Sequence, residues 1–245
     1  MSGSRPRREE GVGSPRSASF VRKLFDGIAS RYDLVNRLIT LGQIGRWRRR
    51  VAREASRERV GVVIDLGTGT AELAIALLKE SRAPMRMIGV DLSPEMLRLA
   101  RKKVKRRGLG RAVSFVLADA GALPFKDEAA GCLVNAFFLR HVPDLRAAFE
   151  ESYRVLRDGG RVLSLELSRE QAPVFRGLFR VWFRRVVPLI GGWVTGDRRA
   201  YEYLPRSLDA FPDSQQLVKA LEDAGFRAEY ERFALGMVAI SRGVK

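Results

Sequence analysis

Residues 60–75, VGVVIDLGTGTAELAI, decide the fold of this chain. A short run of β-branched apolar residues leads into a glycine-rich turn, and apolar residues at helical spacing follow the turn. The pattern predicts a buried strand, a tight loop and the N-terminus of a helix. Gly67 and Gly69 allow the loop backbone to approach a ligand closely, and the helix N-terminus offers unpaired N–H groups to a negative group. The stretch therefore predicts a cofactor-binding loop, with an ordinary strand-to-helix turn as the alternative.

Acidic residues around the loop indicate which ligand it suits. A dinucleotide-binding loop has glycine at a third position, but here that position holds Glu72, whose carboxylate would repel a pyrophosphate. NAD is therefore disfavoured as the ligand. Asp65 before the loop and a second acidic residue after it suit a ligand with an amino group and ribose hydroxyls. In these respects the loop resembles the S-adenosylmethionine loop of class I methyltransferases.

Acidic residues also follow the next two predicted strands. Asp91 lies 22 residues beyond Gly69, near the spacing at which an acidic residue after the second strand of a nucleotide-binding unit reaches ribose hydroxyls. Asp119 and Ala120 follow the third predicted strand. Because the carboxyl ends of parallel strands meet at one edge of a sheet, we expect these residues to gather at one ligand site.

Strand and helix patterns alternate five times, which predicts a mostly parallel sheet with helices on both faces. A C-terminal helix and two further strand-like runs would complete the sheet as an antiparallel hairpin. The predicted fold class is α/β, a three-layer Rossmann-like class I methyltransferase fold with seven strands. The first strand begins near Val60, and the others are predicted at Met85–Val90, Val113–Ala118, Gly131–Ala136, Arg161–Leu167, Arg227–Phe233 and Gly236–Ser241.

Composition along the chain predicts three regions. Residues 1–19 are rich in Ser, Gly, Pro and Arg without an apolar core, and are predicted to form a disordered basic tail. Residues 20–59 carry apolar residues at helical spacing, with a break near Arg31, and are predicted to form an N-terminal helical cap. Residues 60–245 form the predicted S-adenosylmethionine-binding domain, with a helical insertion at about 171–212.

The chain is strongly basic and poor in residues that bind transition metals. It has 45 Lys and Arg against 28 Asp and Glu, a net charge of +17, which favours nucleic acid, anionic lipid or acidic substrates as partners; genome composition is the alternative explanation. Cys132 is the only cysteine and His141 the only histidine, so neither an internal disulfide nor a metal site is expected. This usage predicts a cytoplasmic protein. Without a run of about 18 apolar residues, it is expected to meet a membrane only peripherally, at the inner face.

Several longer motifs narrow the family. The most specific are Tyr32-Asp33-x-x-Asn36 and Tyr201-x-Tyr203-Leu204. The remaining motifs are Phe25–Ala29, Trp47-Arg48, Asp65–Glu72, Asp91–Leu97, Asp119-Ala120, Arg154–Leu156, Pro188–Gly191 and Phe211-Pro212. With these motifs, the sequence from about Phe20 onwards resembles the methyltransferases of quinone biosynthesis, which C-methylate a demethylmenaquinol or the corresponding benzoquinol of ubiquinone synthesis.

The resemblance implies an enzyme that transfers a methyl group from S-adenosylmethionine to a ring carbon of a polyprenylated quinol. It places Tyr32, Arg140 and His141 at the reacting centre. The implied partners are the prenylated quinol or another small aromatic molecule, an anionic membrane and a second copy of the chain in a homodimer, whereas nucleic acid is not expected. The cofactor site it implies comprises Asp65, Gly67, Gly69, Thr70, Asp91, Leu92, Asp119, Ala120 and Ala136.

The chain departs from the family pattern where substrate meets cofactor. Phe138 replaces the usual glycine, and Ala71 stands at another position where glycine is usual. The resemblance implies that Arg140 and its neighbour hold a water that removes a proton during methylation. Because that neighbour is His141 in this chain, we hypothesise that its imidazole, with an unperturbed pKa near ~6.5, acts as the base directly. A buried structural histidine is the alternative.

These departures leave open the identity of the substrate, and the role of one surface segment is open as well. Phe138 is expected to narrow the pocket, so a methyltransferase acting on another small aromatic or a lipid is a second interpretation. The Cβ of Ala71 is expected to crowd the methionine end of the cofactor. A nucleic-acid methyltransferase homologue is disfavoured, because residues 135–138 do not form an Asn-Pro-Pro-Tyr loop. Residues 175–187, rich in arginine and aromatics, either cover the ring and rest on lipid headgroups or pack as an amphipathic helix against the core.

Overall fold

A computed structural model describes residues 17–57, 60–170, 173–196 and 198–245 of the chain. The predicted disordered tail lies outside these ranges up to residue 16. Helix α1 begins at Ala18, within the region assigned to the tail, and the Ser17 side chain caps it by accepting the N–H of Phe20. No helix in the described ranges is both long enough and apolar enough to cross a bilayer.

The described strands form one seven-stranded sheet in the order β3-β2-β1-β4-β5-β7-β6. Strands β1 to β5 are mutually parallel, and β7 runs antiparallel to both β5 and β6. The predicted α/β fold with an antiparallel C-terminal hairpin is therefore confirmed. The strands are β1 Val62–Leu66, β2 Arg86–Asp91, β3 Val113–Leu117, β4 Ala130–Ala136, β5 Leu156–Leu167, β6 Arg227–Phe233 and β7 Val238–Val244.

Ten α-helices lie within the described ranges. They are α1 Ala18–Ile28, α2 Tyr32–Ile39, α3 Ile44–Ala55, α4 Glu72–Glu80, α5 Pro94–Arg106, α6 Leu145–Val155, α7 Pro173–Val181, α8 Val187–Thr195, α9 Arg198–Asp209 and α10 Ser214–Asp223. A 3₁₀ turn at Ala29–Arg31 breaks the first helical pattern, as the sequence predicts, and a π turn at Trp182–Val186 joins α7 to α8.

Successive side chains of each strand point to opposite faces of the sheet, so the core has two layers. In β1, Val63 packs on one face of the sheet with α3 and α4, whereas Ile64 packs on the other face with α6 and α10. Trp47 and Val51 of α3 belong to the first of these layers, so α3 covers the sheet itself.

Two strand boundaries differ from the prediction by three or more residues, and both differences arise from pairing between distant segments. β5 begins at Leu156, five residues before the predicted start, because Leu156 pairs with Ala130 beyond a register shift whose extra residues lie in β5. β7 runs on to Val244, because Val244 pairs with Arg161 of β5. Local periodicity carries no information about such partners.

A separate apolar cluster joins the N-terminal helices to the helical insertion. Ile28 and Val35 pack there with Phe183, Val187 and Tyr201 from the insertion. Two polar contacts fix the arrangement: the Trp182 indole N–H donates to the Ile39 carbonyl at 3.0 Å, and the Arg31 guanidinium donates to the Val194 carbonyl. The two segments thus form one unit, called here the cap, comprising α1, α2 and α7 to α9.

Close packing inside the cap depends on a glycine. A Cβ added to Gly191 would overlap the ring of Tyr201, which is buried between α8 and α9. We expect Gly191→Ala to lower the free energy of unfolding by about 1–3 kcal/mol, the usual cost of overpacking. Gly177→Ala in α7, where a Cβ meets nothing within 4 Å, should instead raise it by about 0.5–1 kcal/mol. Urea denaturation of both variants checks the prediction, and equal stabilities would contradict it.

Candidate active site

The predicted site residues meet at the carboxyl ends of β1, β2 and β4, under the cap. A cavity there has an empty volume of about 630 Å³ when the open space at its mouth is included. The predicted residues that line it are Tyr32, Gly67, Gly69, Asp91, Leu92, Asp119, Ala120, Ala136 and His141. The remainder of the lining is largely apolar and includes Phe25, Met96 and Phe138.

A smaller, more polar cavity adjoins the first. Tyr32, Gly67, Gly69 and Ala136 line both cavities, so these residues form the boundary between them. The smaller cavity has an empty volume of about 310 Å³. Its other lining residues include the predicted Asp65 and Thr70 together with Arg48 and Glu72, so it carries charges of both signs.

Asp91 joins the loops after β1 and β2. One carboxylate oxygen accepts the backbone N–H of Gly69 at 2.8 Å, and the other accepts that of Ser93 at 2.9 Å. Burial raises the pKa of Asp91 to about 6, although these N–H donors oppose the shift. A carboxylate has about four acceptor positions, so Asp91 retains capacity to accept from a ligand hydroxyl.

Asp65 lies beneath the glycine-rich loop. Its carboxylate accepts the Thr68 hydroxyl at 2.7 Å, and the residue is almost fully buried. Burial raises the pKa of Asp65 to about 7, while the Thr68 hydroxyl and the positive charge of Arg48 act in the opposite direction. The ionised form of Asp65 would therefore be stabilised by a cation placed beside it.

Two aspartates of the cap attach it to the cavity loops. Asp33 of α2 accepts the Thr70 hydroxyl at 2.6 Å and forms an ion pair with Lys103 of α5. Asp26 of α1 accepts the hydroxyl of Ser93, the N-cap of α5, at 2.5 Å. The sequence analysis missed Asp26, Asp33 and Lys103 as site residues, although both aspartates stand in the motifs Phe25–Ala29 and Tyr32–Asn36.

Phe138 lies directly against the glycine-rich loop. Gly67 has a φ of +63°, and a Cβ added to it would overlap the Phe138 ring. The expected crowding by Ala71 is wrong, because Ala71 is fully buried in the core layer beside α4 and lines neither cavity. Its backbone adopts the left-handed conformation at φ +66°, which directs its Cβ into that core.

Arg140 does not line either cavity. Its guanidinium lies 3.0 Å from the carboxylate of Glu166 on β5, and the two side chains are only 7% and 3% exposed. The second Glu166 oxygen accepts the backbone N–H of Leu139 at 2.7 Å. A buried carboxylate needs a counter-charge, so Arg140 turns towards Glu166 and holds the loop after β4. The sequence analysis missed Glu166, although an acidic residue in an otherwise apolar strand is a usable signal.

His141 lies within an aromatic group at the cavity. Its Nδ1 is 3.3 Å from the Tyr203 hydroxyl, and its ring meets Phe25 edge-on with the centroids 4.9 Å apart. The Nε2 atom is buried and has no hydrogen-bond partner among the described residues. Burial, and then the charge of Arg140, hold the pKa of His141 well below 6.5, so the assumption of an unperturbed pKa is wrong. Its imidazole is therefore neutral at physiological pH.

No group of three or more His, Cys, Asp or Glu side chains in the described part of the chain could hold a metal ion. The site therefore offers carboxylates, a neutral imidazole and two arginines, Arg22 and Arg48, around the two cavities. This set suits an organic ligand with hydroxyl, ammonium and carboxylate groups.

Sequence comparisons relate this chain to known methyltransferases. Residues 12–245 match the ubiE/COQ5 methyltransferase family. The demethylmenaquinone methyltransferase of Thermus thermophilus is 42% identical over 220 residues, covering 90% of this chain and 99% of that protein. The ubiquinone/menaquinone biosynthesis C-methyltransferase UbiE of Desulfotalea psychrophila is 36% identical, covering 92% and 90% respectively.

Solved structures share the fold at low sequence identity. A SAM-dependent methyltransferase from Thermotoga maritima, described as a possible histamine N-methyltransferase, has a TM-score of 0.63 and 21% identity over 92% of this chain and 99% of that one. The [4+2]-cyclase SpnF has a TM-score of 0.69 and 18% identity over 94% and 97%. Since a cyclase shares the architecture, the fold does not by itself specify methyl transfer.

The contact between Gly67 and Phe138 gives a test of the loop geometry. Gly67→Ala should lower the free energy of unfolding by about 1–2 kcal/mol for its left-handed backbone and by about 1–3 kcal/mol more for overlap with Phe138. Gly61→Ala is the matched control, because Gly61 also has a positive φ but a Cβ there meets nothing within 4 Å. Thermal and urea unfolding measure both.

The same comparison in a Phe138→Ala background isolates the overlap. With the ring removed, Gly67→Ala should cost no more than Gly61→Ala. A cost for Gly67→Ala that is the same in both backgrounds would show that the Phe138 ring does not lie against this loop.

Proposed function

This chain belongs to the ubiE/COQ5 methyltransferase family, and from that premise we propose that it C-methylates the ring of a polyprenylated quinol in menaquinone or ubiquinone biosynthesis. The family establishes a methyltransferase, and it implies S-adenosylmethionine as the methyl donor. The observation that carries the finer proposal is the pair of adjoining cavities, one charged and one apolar with a neutral histidine in its wall.

The two cavities fit the two ends of the cofactor. In the larger cavity, the carboxylate of Asp91 suits the ribose hydroxyls, and Asp119, Ala120 and Leu92 would flank the adenine. In the smaller cavity, the charges suit a zwitterion: Asp65 complements the ammonium group and Arg48 the carboxylate of the methionine end.

The residues shared by both cavities would hold the middle of the cofactor. The backbones of Gly67, Gly69 and Ala136 line this boundary, and Thr70 is held beside them by Asp33. When bound, S-adenosylmethionine supplies a methyl group that is already activated for transfer. The protein then has to place an electron-rich ring carbon in line with that methyl group and exclude water.

The aromatic group in the larger cavity would position the quinol. Phe25 and Tyr32 pack edge-on at 5.9 Å between ring centroids, and Phe25 also contacts His141. Flat apolar walls favour a flat ring and keep water away from it. The Arg140–Glu166 ion pair keeps the loop that carries Phe138 and His141 in place, so Arg140 acts as a positioning residue.

Methylation of ring carbon requires the quinol to lose a proton, and His141 can accept it. If Nδ1 carries the hydrogen and donates to the Tyr203 oxygen, Nε2 presents a lone pair with no other partner in the described residues. The lowered pKa keeps that lone pair available at neutral pH. The ring hydroxyl would donate to Nε2 as the new carbon–carbon bond forms.

The polyprenyl group is inferred from the names of the relatives, which act in menaquinone and ubiquinone biosynthesis. A different small aromatic acceptor is the second candidate, because Phe138 fills space where the family usually has glycine. Incubation with labelled S-adenosylmethionine and a panel of prenylated naphthoquinols, prenylated benzoquinols and simple catechols tests the proposal. We expect mass addition of one methyl to a prenylated quinol, and methylation of the catechols alone would overturn it.

Cofactor binding should depend on pH through Asp91. Its pKa of about 6 means that it is largely protonated at pH 5 and ionised at pH 7.5. A protonated carboxyl loses acceptor capacity for the ribose hydroxyls, so affinity for S-adenosylmethionine should rise as pH increases through 6. Calorimetric titration across this range checks it.

Asp65 has a pKa of about 7, so it titrates in a pH range close to that of Asp91 and needs its own control. Asp91→Asn should weaken binding and remove the step near pH 6, whereas Asp65→Asn should retain that step. A step that persists unchanged in Asp91→Asn would assign it to another group.

His141→Gln should lower kcat by about 10²–10⁴-fold, because a general base contributes on that scale. Its dissociation constant for S-adenosylmethionine should stay unchanged. Tyr203→Phe removes only the hydroxyl next to Nδ1 and should cause a smaller loss. With saturating cofactor, the wild-type kcat should not fall until the pH is well below 6.5, because the pKa of His141 is lowered. Undiminished turnover of His141→Gln would exclude this role.

A further inference from the structure

Exposed apolar side chains are concentrated on one part of the cap. Of the nine large hydrophobic residues that are exposed in the described ranges, seven lie on α2 and its end or on α7 and α8, and Trp193 is 87% exposed. The seven are Leu34, Leu38, Leu41, Leu178, Val181, Leu189 and Trp193. A cluster of this kind on an otherwise charged surface indicates an interaction site.

The positions on α7 and α8 form a single stripe. Val181, Arg185, Leu189 and Trp193 follow one another at four-residue steps through the π turn, and Leu178 precedes them by three. Residues at these spacings share one side of a helix. All five are exposed, so the stripe faces outwards.

Helix α2 brings its own leucines beside this stripe. The bond from Trp182 to the Ile39 carbonyl joins the end of α2 to the π turn, and the bond from Arg31 to Val194 joins its start to the end of α8. The two helical segments therefore lie side by side in opposite directions. Together their seven apolar residues are called here the cap stripe.

The charge around the cap stripe selects its partner. Residues 171–196 contain four arginines and no Asp or Glu. Arg180 and Arg185 are exposed, and Arg184 is half-exposed in an ion pair with Asp209. Arginines beside exposed leucine and tryptophan side chains match an anionic lipid surface, where the cations meet phosphate groups and the apolar side chains enter the acyl boundary.

We propose that the cap stripe docks this protein on an anionic lipid bilayer, from which its substrate enters the active-site cavity. The proposal rests on the proposed function in one respect, namely that a polyprenylated acceptor resides in the bilayer. Phe25 and Tyr32 pack in the apolar cluster of the cap and also line the larger cavity. The cap therefore has the cavity on its inner side and the stripe on its outer side.

A second copy of the chain fits the same surface less well. A two-fold interface would set each cap stripe against the same stripe of the second copy, and the exposed Arg180 and Arg185 would then approach the same residues of that copy. Like charges brought together in this way oppose association. Lipid phosphate has no such conflict.

Vesicle flotation tests the docking surface directly. We expect the wild-type protein to float with vesicles of phosphatidylcholine mixed with phosphatidylglycerol, and to float weakly with phosphatidylcholine alone. Leu189→Gln should reduce binding about tenfold. Leu235→Gln is the matched control, because Leu235 is equally exposed, at 56% against 57%, but lies outside the stripe.

A charge variant tests the electrostatic contribution of the arginines to vesicle binding. Arg185→Gln should weaken binding to the anionic vesicles about fivefold, since one arginine near such a surface contributes about 1 kcal/mol. Lys102→Gln, at an exposed position on α5, should leave it unchanged. Equal binding by Leu189→Gln and Leu235→Gln, or no wild-type binding to anionic vesicles, would overturn the proposal.

Methyl transfer to two forms of quinol separates the docking proposal from the proposed function. We expect Leu189→Gln to keep wild-type turnover of a short-chain quinol in solution and to lose turnover of a long-chain quinol embedded in vesicles. If Leu189→Gln keeps wild-type turnover of both substrates, the docking proposal is contradicted and the methyltransferase assignment stands. Failure of the wild-type protein to methylate any quinol, with stripe-dependent flotation retained, would contradict the proposed function alone.

Sedimentation velocity tests whether the cap stripe binds a second copy of the chain. A wild-type monomer, with or without the stripe substitutions, is expected. A wild-type dimer that Trp193→Ala converts to a monomer would show that the stripe joins two chains, and would overturn docking on lipid.

Discussion

Two cap carboxylates hold the active site together. Asp26 and Asp33 reach from the N-terminal helices to Ser93 and Thr70, which belong to the loops after β2 and β1. The cavity exists only between these loops and the cap, so its shape depends on both contacts. Because Lys103 also pairs with Asp33, the cap is fixed to α5 as well as to the cofactor loop. Any opening of the cap for a ligand would have to exchange these bonds for water.

A second constraint orders the loop after β4, where chemistry is expected. Glu166 on β5 binds both the Arg140 guanidinium and the backbone of Leu139, and all of this lies away from water. A buried ion pair of this kind adds little net stability, but it fixes one conformation because breaking it leaves an uncompensated charge. The same loop carries Phe138 against Gly67 and His141 against Tyr203. The pair thus sets the positions of the groups that would meet the substrate.

The sheet and the cap supply different features of the protein. The sheet edge supplies a glycine-rich loop and acidic residues after successive strands. The cap supplies aromatic walls on its inner side and the exposed apolar stripe on its outer side. Since structural relatives include a cyclase, the particular reaction must be specified by the residues that the cap and the β4 loop add.

The sequence by itself determined the fold class, the strand-loop-helix unit around Gly67 and the gathering of Asp91 and Asp119 at one sheet edge, because these follow from periodicity and from the common direction of parallel strands. The tertiary structure alone decided the partner of Arg140 and the environment of His141. Burial and ion pairing depend on which distant segments meet, and β5 and α9 supply Glu166 and Tyr203 from far along the chain. For the same reason local pattern could not show that α2 lies beside α8, a contact that turns separate exposed leucines into one surface.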